Sequence, residues 1–370
     1  MRHPYQKAAD YARWDRGVAA VPPEQVDPVA RFPTLLTPGQ PVVTAGSCFA
    51  QHISRHLKRA GFNFLVTEPG HPVLPDDLRA AMNYGVFSAR FGNIYTSRQL
   101  EQLFRRAYGS FEPVESVWER PDGRLVDPFR PTIQPGGFAT REELLADRSQ
   151  HLAAVRRAFE EVSVFVFTLG LTECWASTAD GAVFPVAPGV AGGTYDPARH
   201  AFVNLGVSEV IDEMTRFITS LRSVNPAAVF ILTVSPVPLA ATALDRHVLV
   251  STAYSKAVLR VAAESLASSL AQVYYFPSYE IVTAPFSRGS YYSQDLRSVT
   301  EAGVEHVMSL FFRHVTDGGH ARIDVEAAAP AQAPAPKPDA LDQELEVLCD
   351  EELILLTDKI AAGRNPQSRP

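Results

Sequence analysis

Apolar residues along the chain gather into short runs that alternate with longer stretches in which they recur every three or four positions. Val42-Val43-Thr44-Ala45 is a β-favouring run, and Phe49, Ile53 and Leu57 follow at helical spacing, so this region reads as strand, tight turn and helix, with Gly46-Ser47-Cys48 at the turn. A second strand is expected at Phe62–Val66, and a helix from Ser97, as its N-cap, through Arg106. A helix near 141–160 leads into Val162–Thr168 (VSVFVFT), a run suited to a strand buried on both faces. Two further cycles follow. A helix at 208–223 carries Val210, Met214, Phe217 and Leu221 ahead of the strand Ala228–Val234, and a helix at 251–271 precedes Val273–Phe276. Strands alternating with helices predict an α/β fold of three layers, with about five parallel strands joined by right-handed crossovers.

The flanks break this rhythm. Residues 1–40 scatter Tyr5, Tyr11, Trp14 and Phe32 among charges and prolines, which reads as an arm packed on the body, and 109–140 reads as loops. The body is expected over 41–322. Residues 323–338, ending in APAQAPAPKP, form an Ala/Pro-rich linker. In the 339–370 segment, Leu345, Cys349, Leu353, Leu356 and Ile360 make one apolar stripe on an acidic helix suited to docking on the body, on a partner or on a second copy.

Composition narrows the function classes. With 46% hydrophobic and 20% charged residues, the chain falls among ordinary soluble proteins. Its formal charge of −7 is matched by residues 339–362 alone, so the body is neutral and lacks the basic footprint of a nucleic-acid binder. No run approaches the roughly 20 apolar residues of a membrane span, and the expectation is neither export nor insertion. Three separated cysteines, Cys48, Cys174 and Cys349, suggest neither a disulfide framework nor a zinc cluster, which fits a reducing cytoplasm. No metal and no cofactor are expected, since no glycine-rich nucleotide loop follows the first strand.

Ligands of open parallel sheets bind outside the carboxyl ends of the strands. That rule selects Gly46-Ser47-Cys48, Gly170-Leu171-Thr172-Glu173, Ser235-Pro236 and the stretch beyond Phe276 that holds Asp295. A serine after glycine at a strand-to-helix turn suits a nucleophile, because glycine allows the bend and the helix start presents N–H groups to an oxyanion. Simple capping of the 49–60 helix is the other reading of Ser47.

TAGSCFAQHISRHLKRAGF resembles the signature of the GSCFA family. RFGNIYTSRQL, FTLGLTECW, ILTVSPVPLAAT, YSKAVLR and FPSYEI resemble further family blocks in family order, so that the likeness spans roughly residues 4–315. The resemblance implies a flavodoxin-like, SGNH-type fold and the chemistry of GDSL-type esterases. On that basis Ser47 takes the nucleophile position, with its own amide as one oxyanion donor. Gly46, Gly92 with Asn93, and Gly170 with Thr172 become oxyanion or substrate-binding candidates.

The last block departs from the pattern, because Asp295-Leu296-Arg297-Ser298 stands where those esterases carry Asp-x-x-His. Serine is a poor nucleophile without a neighbouring base. Three readings follow: another histidine such as His306 serves, a carboxylate such as Glu173 or Asp295 serves, or the site binds without turnover. His52, His56 and His247 are read as surface, core or capping residues, Cys48 as packed and inert, and Lys256 with Arg260 as a solvated basic patch. Trp175, Tyr291 and Tyr292 are read as core aromatics. The expected function is a serine-dependent acyl-ester hydrolase or O-acyltransferase acting on a carbohydrate-like or small-molecule ester. The competing class is a ligand- or partner-binding protein that keeps the pocket without the base.

Overall fold

A computed structural model describes residues 3–317, 350 and 352–354. The linker expected over 323–338 and most of the acidic helix lie outside the described residues. Among the described residues nine strands occur in chain order: β1 (Val42–Gly46), β2 (Trp118–Glu119), β3 (Leu125–Val126), β4 (Val164–Leu169), β5 (Glu173–Ser177), β6 (Val183–Phe184), β7 (His200–Asn204), β8 (Val229–Val234) and β9 (Val273–Tyr275). The α-helices are α1 (Phe49–Arg59), α2 (Asp76–Ala81), α3 (Ser97–Ala107), α4 (Arg141–Glu161), α5 (Val207–Val224), α6 (Val248–Ser269), α7 (Ser278–Thr283) and α8 (Glu301–Val315).

The central sheet has the order β1-β4-β8-β9 and is parallel throughout. The fifth strand expected at Phe62–Val66 is reduced to a single parallel bridge, Phe64 to Val42, on the outer edge of β1. With that segment counted, the spatial order is 2-1-3-4-5, the doubly wound arrangement whose switch point falls between β1 and β4. Alternate residues of each strand face opposite layers. Val43, Ala45, Phe165, Phe167, Phe230 and Leu232 pack against α3, α4, α5 and α6. Val42, Val164, Val166 and Ile231 pack against α1, α7 and α8. Covering both faces explains why these strands are apolar at every position rather than at alternate ones.

Several expectations need adjustment. Thr96 caps α3 by accepting from the Gln99 amide, while the hydroxyl of Ser97 donates to Glu213. Helix α6 begins at Val248 and is capped by His247, whose Nδ1 accepts from the Leu249 amide. Beyond the β4 loop the chain builds an antiparallel sheet, β6-β5-β7, in a segment where the hydrophobic pattern predicts no strand. The arm is anchored by its second half. Val26, Val29 and Leu36 are buried, the amides of Leu35 and Leu36 donate to the Val315 carbonyl, and Asp27 pairs with Arg313 and His314.

A buried charge cluster holds the long loops on α4. Arg90 pairs with Asp147, Arg130 and Arg148 pair with Asp127, and His151 bonds Glu68. Burial alone would raise the Asp127 carboxyl, but Arg130, Arg148 and Arg106 outweigh it and hold the group far below the usual carboxylate range. This cluster fixes the loops that carry Asn93 and Thr132.

Candidate active site

At the carboxyl edge of the sheet, Gly46, Thr168 and Thr233 stand side by side in register on β1, β4 and β8. Gly46 has φ +138°, and a Cβ there would lie 2.4 Å from the Thr168 carbonyl oxygen and 2.7 Å from Thr168 Cβ. Only glycine fits this bend, which turns the chain from β1 into α1 with Ser47 at the corner. Ser47 is 3% exposed, and its Oγ is buried without a hydrogen-bond partner among the described residues. The hydroxyls of Thr168 and Thr233 share that condition. Three adjacent strand ends thus carry buried hydroxyls without a partner among the described residues, a state that calls for an explanation.

Two loops close on this corner. The Ile94 amide donates to the Gly46 carbonyl at 2.8 Å, and the amides of Gly170 and Leu171 both donate to the Tyr95 carbonyl at 3.0 Å. Gly170 packs on the serine, since a Cβ there would meet Ser47 Cβ at 3.0 Å and the Tyr95 oxygen at 3.1 Å. Gln51, one turn along α1, donates from Nε2 to Asn93 Oδ1 at 3.1 Å and so aims the Asn93 amide group. The structure therefore brings together Gly46, Ser47, Asn93 and Gly170 from the sequence-derived set. Gly92 sits in the same loop with φ +71°, and its buried amide makes no hydrogen bond among the described residues.

Other candidates are engaged elsewhere. The Ser47 amide donates to the Thr168 carbonyl at 3.2 Å, extending the sheet rather than pointing to an oxyanion. The Thr172 hydroxyl donates to Asn204 Oδ1 at 2.7 Å, and its amide donates to Ser255 Oγ. Glu173 accepts from Thr242. Asp295 is exposed in a self-contained turn, accepting from the amides of Arg297 and Ser298 and from the Ser298 hydroxyl at 2.6 Å. That turn holds its pKa low: burial opposes the shift, and the three hydrogen bonds prevail. His306 lies on α8 beside the arm, with Nδ1 on the Tyr291 hydroxyl at 2.8 Å and Phe286 against its ring. Neither Asp295 nor His306 touches the serine corner.

Lys256, read from sequence as part of a surface patch, reaches the Gly170 loop beside the serine instead. It is 1% exposed, and its Nζ donates to the Gly170 carbonyl at 2.7 Å. Its expected partner Arg260 instead pairs with Glu280 and Glu264 and lies over the Tyr275 ring. Cys48 is likewise no bare packed thiol, because it is disulfide-bonded. Cys174 is free, and Cys349 lies outside the described residues. Of the aromatics expected in the core, Tyr291 is buried, while Tyr292, which donates to the Pro236 carbonyl, and Trp175, edge-on to Tyr195 and Phe202, are only half-buried.

Asp350 also enters the site, 3% exposed, with its oxygens accepting from Thr132 Oγ1 at 2.6 Å, Asn93 Nδ2 at 3.0 Å and Tyr95 Oη at 3.3 Å. Beside it Glu352 pairs with Arg297 of the Asp295 turn at 3.4 Å. No sequence signal marked Asp350, whose partners lie 218 to 257 residues away. Among the described residues no group of three His, Cys, Asp or Glu could hold a metal ion, and no helix is long and apolar enough to cross a membrane.

The model of the GSCFA family matches residues 41–311. No curated protein matches the chain.

Proposed function

Because the chain belongs to the GSCFA family, whose naming residues here are Gly46 through Ala50, we propose a serine-dependent acyl-ester hydrolase or O-acyltransferase of SGNH type, acting on a carbohydrate-like or small-molecule ester. The observation that carries this reading is the Ser47 hydroxyl, buried at the switch point of the sheet without a partner among the described residues. An isolated hydroxyl in such a place is destabilising, and substrate chemistry accounts for its retention.

In this reading Ser47 Oγ attacks the ester carbonyl. The Gly92 amide, with Asn93 beside it, receives the developing oxyanion. Lys256, whose Nζ lies on the Gly170 carbonyl beside the serine, is the proposed acceptor of the serine proton, which then passes to the leaving oxygen, in place of a histidine. Its link to the nucleophile is Gly170, whose carbonyl it holds and whose backbone packs on Ser47.

The second reading is a binding protein without turnover. It is favoured by the Asp295–Ser298 turn, which carries no histidine, and by the seat of His306 on Tyr291. Turnover of p-nitrophenyl butyrate separates the two. Activity that is lost in Ser47→Ala supports the enzyme, and activity unchanged by that substitution contradicts it.

A cytoplasmic location, a small-molecule or glycan ester as partner rather than nucleic acid or membrane, and self-association through 339–362 remain part of the proposal. The Cys48 disulfide speaks against the first, since cytosolic thiols are kept reduced. Alkylation of Cys48 in freshly opened cells supports the cytoplasm, and a protected Cys48 contradicts it.

A further inference from the structure

Asp350 occupies a formed pocket. Three donors from two loops, Asn93 Nδ2, Tyr95 Oη and Thr132 Oγ1, converge on the two oxygens of one carboxyl group, and the Asp350 amide donates back to Tyr95 Oη at 2.9 Å. These donors are held independently of their occupant. Gln51 fixes the Asn93 carboxamide, the Tyr95 amide donates to Gln99 Oε1, and the Asn93 carbonyl accepts from Gln99 Nε2. Thr132 sits on the loop that also supplies Arg130 to the buried charge cluster. The pocket adjoins the nucleophile, because the residue between Asn93 and Tyr95 bonds the Gly46 carbonyl and Tyr95 receives Gly170.

The donor set consists of an amide and two hydroxyls, with no cation among the described residues that bond the Asp350 oxygens. Burial in such a site disfavours a carboxylate and favours the protonated or esterified form, while the three donors oppose that preference in part. The occupant behaves accordingly: burial pushes the Asp350 carboxyl above its ordinary range, against the lowering effect of Thr132, Asn93 and Tyr95.

The structure assigns Asn93, Tyr95 and Thr132 as a subsite for the carboxyl or acyl-carbonyl group of a ligand, with Asp350 as its built-in occupant. Its part in acyl transfer rests on the reading of Ser47 above, whereas the pocket stands without it. A ligand enters by replacing the Asp350 carboxyl on the same three donors. The Glu352–Arg297 pair restrains that exchange from the side of the Asp295 turn.

The test uses the full chain and butyrate as probe, followed by calorimetry and by saturation-transfer NMR. Asp350→Ala removes the resident carboxyl from the three donors and is expected to bind butyrate saturably, more tightly at pH 5 than at pH 7, while the wild type binds it at least tenfold more weakly. Adding Thr132→Val to Asp350→Ala removes one donor and is expected to weaken binding about 5- to 100-fold. Asp350→Ser repeats the measurement should the alanine chain not fold. Absence of saturable binding in the vacated chains, or equal binding by the wild type, overturns the assignment. Fluorophosphonate labelling of the same chains reads the nucleophile separately. Butyrate binding without any label on Ser47 keeps the subsite and sinks the enzyme reading, and labelling without butyrate binding does the reverse.

Discussion

Replacing Gly46 by alanine tests the corner on which the site is built. Two costs arise there and can be separated. The backbone sits at φ +138°, which L-residues avoid at a cost of about 1–3 kcal/mol. The added methyl also has nowhere to go, since it would lie 2.4 Å from the Thr168 carbonyl oxygen, 2.7 Å from Thr168 Cβ and 2.8 Å from the Thr168 amide nitrogen. These atoms belong to the neighbouring strand of a fully buried sheet, so relief requires parting β1 from β4, and overpacking of this kind costs about 1–3 kcal/mol more. Gly61→Ala supplies the control: φ is +75° there and nothing lies within 4 Å of the added carbon, so it carries the backbone cost alone. Urea unfolding followed by circular dichroism is expected to place the Gly46→Ala midpoint below that of Gly61→Ala, by roughly 0.5 M or more at ordinary m-values. The shifted strand also moves Ser47, so ester turnover should fall with it. Equal midpoints for the two variants would refute the claim that contact with Thr168 makes glycine obligatory.

Two other expectations concern charge. Burial, with a further push from Arg130, lowers the His151 imidazole to about 4 despite its bond to Glu68. The folded ring stays neutral where the unfolded one takes up a proton, so this stabilisation is complete above pH 6.5 and is lost as pH falls from 6.5 towards 4. The ceiling is about 3 kcal/mol. His52, lowered to about 4 by burial and by Arg55, adds in the same window. A ring resonance of His151 titrating near 6.5 would contradict this. For the reaction, Lys256→Met is expected to reduce p-nitrophenyl butyrate turnover about 10²- to 10⁴-fold, while His306→Ala leaves it within a few-fold of wild type. The opposite ranking would return the base to the histidine.

The fold was legible because burial on both faces leaves an unmistakable mark: VFVFTL and VFILTV carry no polar alternation, and each follows a helix. The segments that escaped reading are those whose pattern is weak. Glu173–Ser177 and His200–Asn204 mix charged, small and aromatic residues, as suits an antiparallel sheet partly open to water. Phe62–Val66 reads as a full strand yet makes one bridge, because it departs from β1 after Leu65 donates to the Val42 carbonyl.

At the site, Gly46-Ser47 was visible because a local rule, glycine at a strand-to-helix bend, specifies it. The roles of Lys256 and Asp350 obey no local rule. Lys256 is defined by a carbonyl 86 residues away, and Asp350 by donors more than 200 residues away, so only the folded chain brings out their chemistry. The odd cysteine count concealed the Cys48 bond for the same reason. Asp295 failed in the other direction: its sequence position matched a catalytic motif, but with serine at 298 the motif closes on itself as a turn.

The account stands on an activated hydroxyl at position 47. Incubation of the wild-type and Asp350→Ala chains with a fluorophosphonate, followed by peptide mapping in the mass spectrometer, reads that hydroxyl directly. The prediction is a single phosphonyl adduct on Ser47, formed faster in Asp350→Ala and absent from Ser47→Ala. An adduct on another residue, or none on Ser47 in either chain, would contradict it.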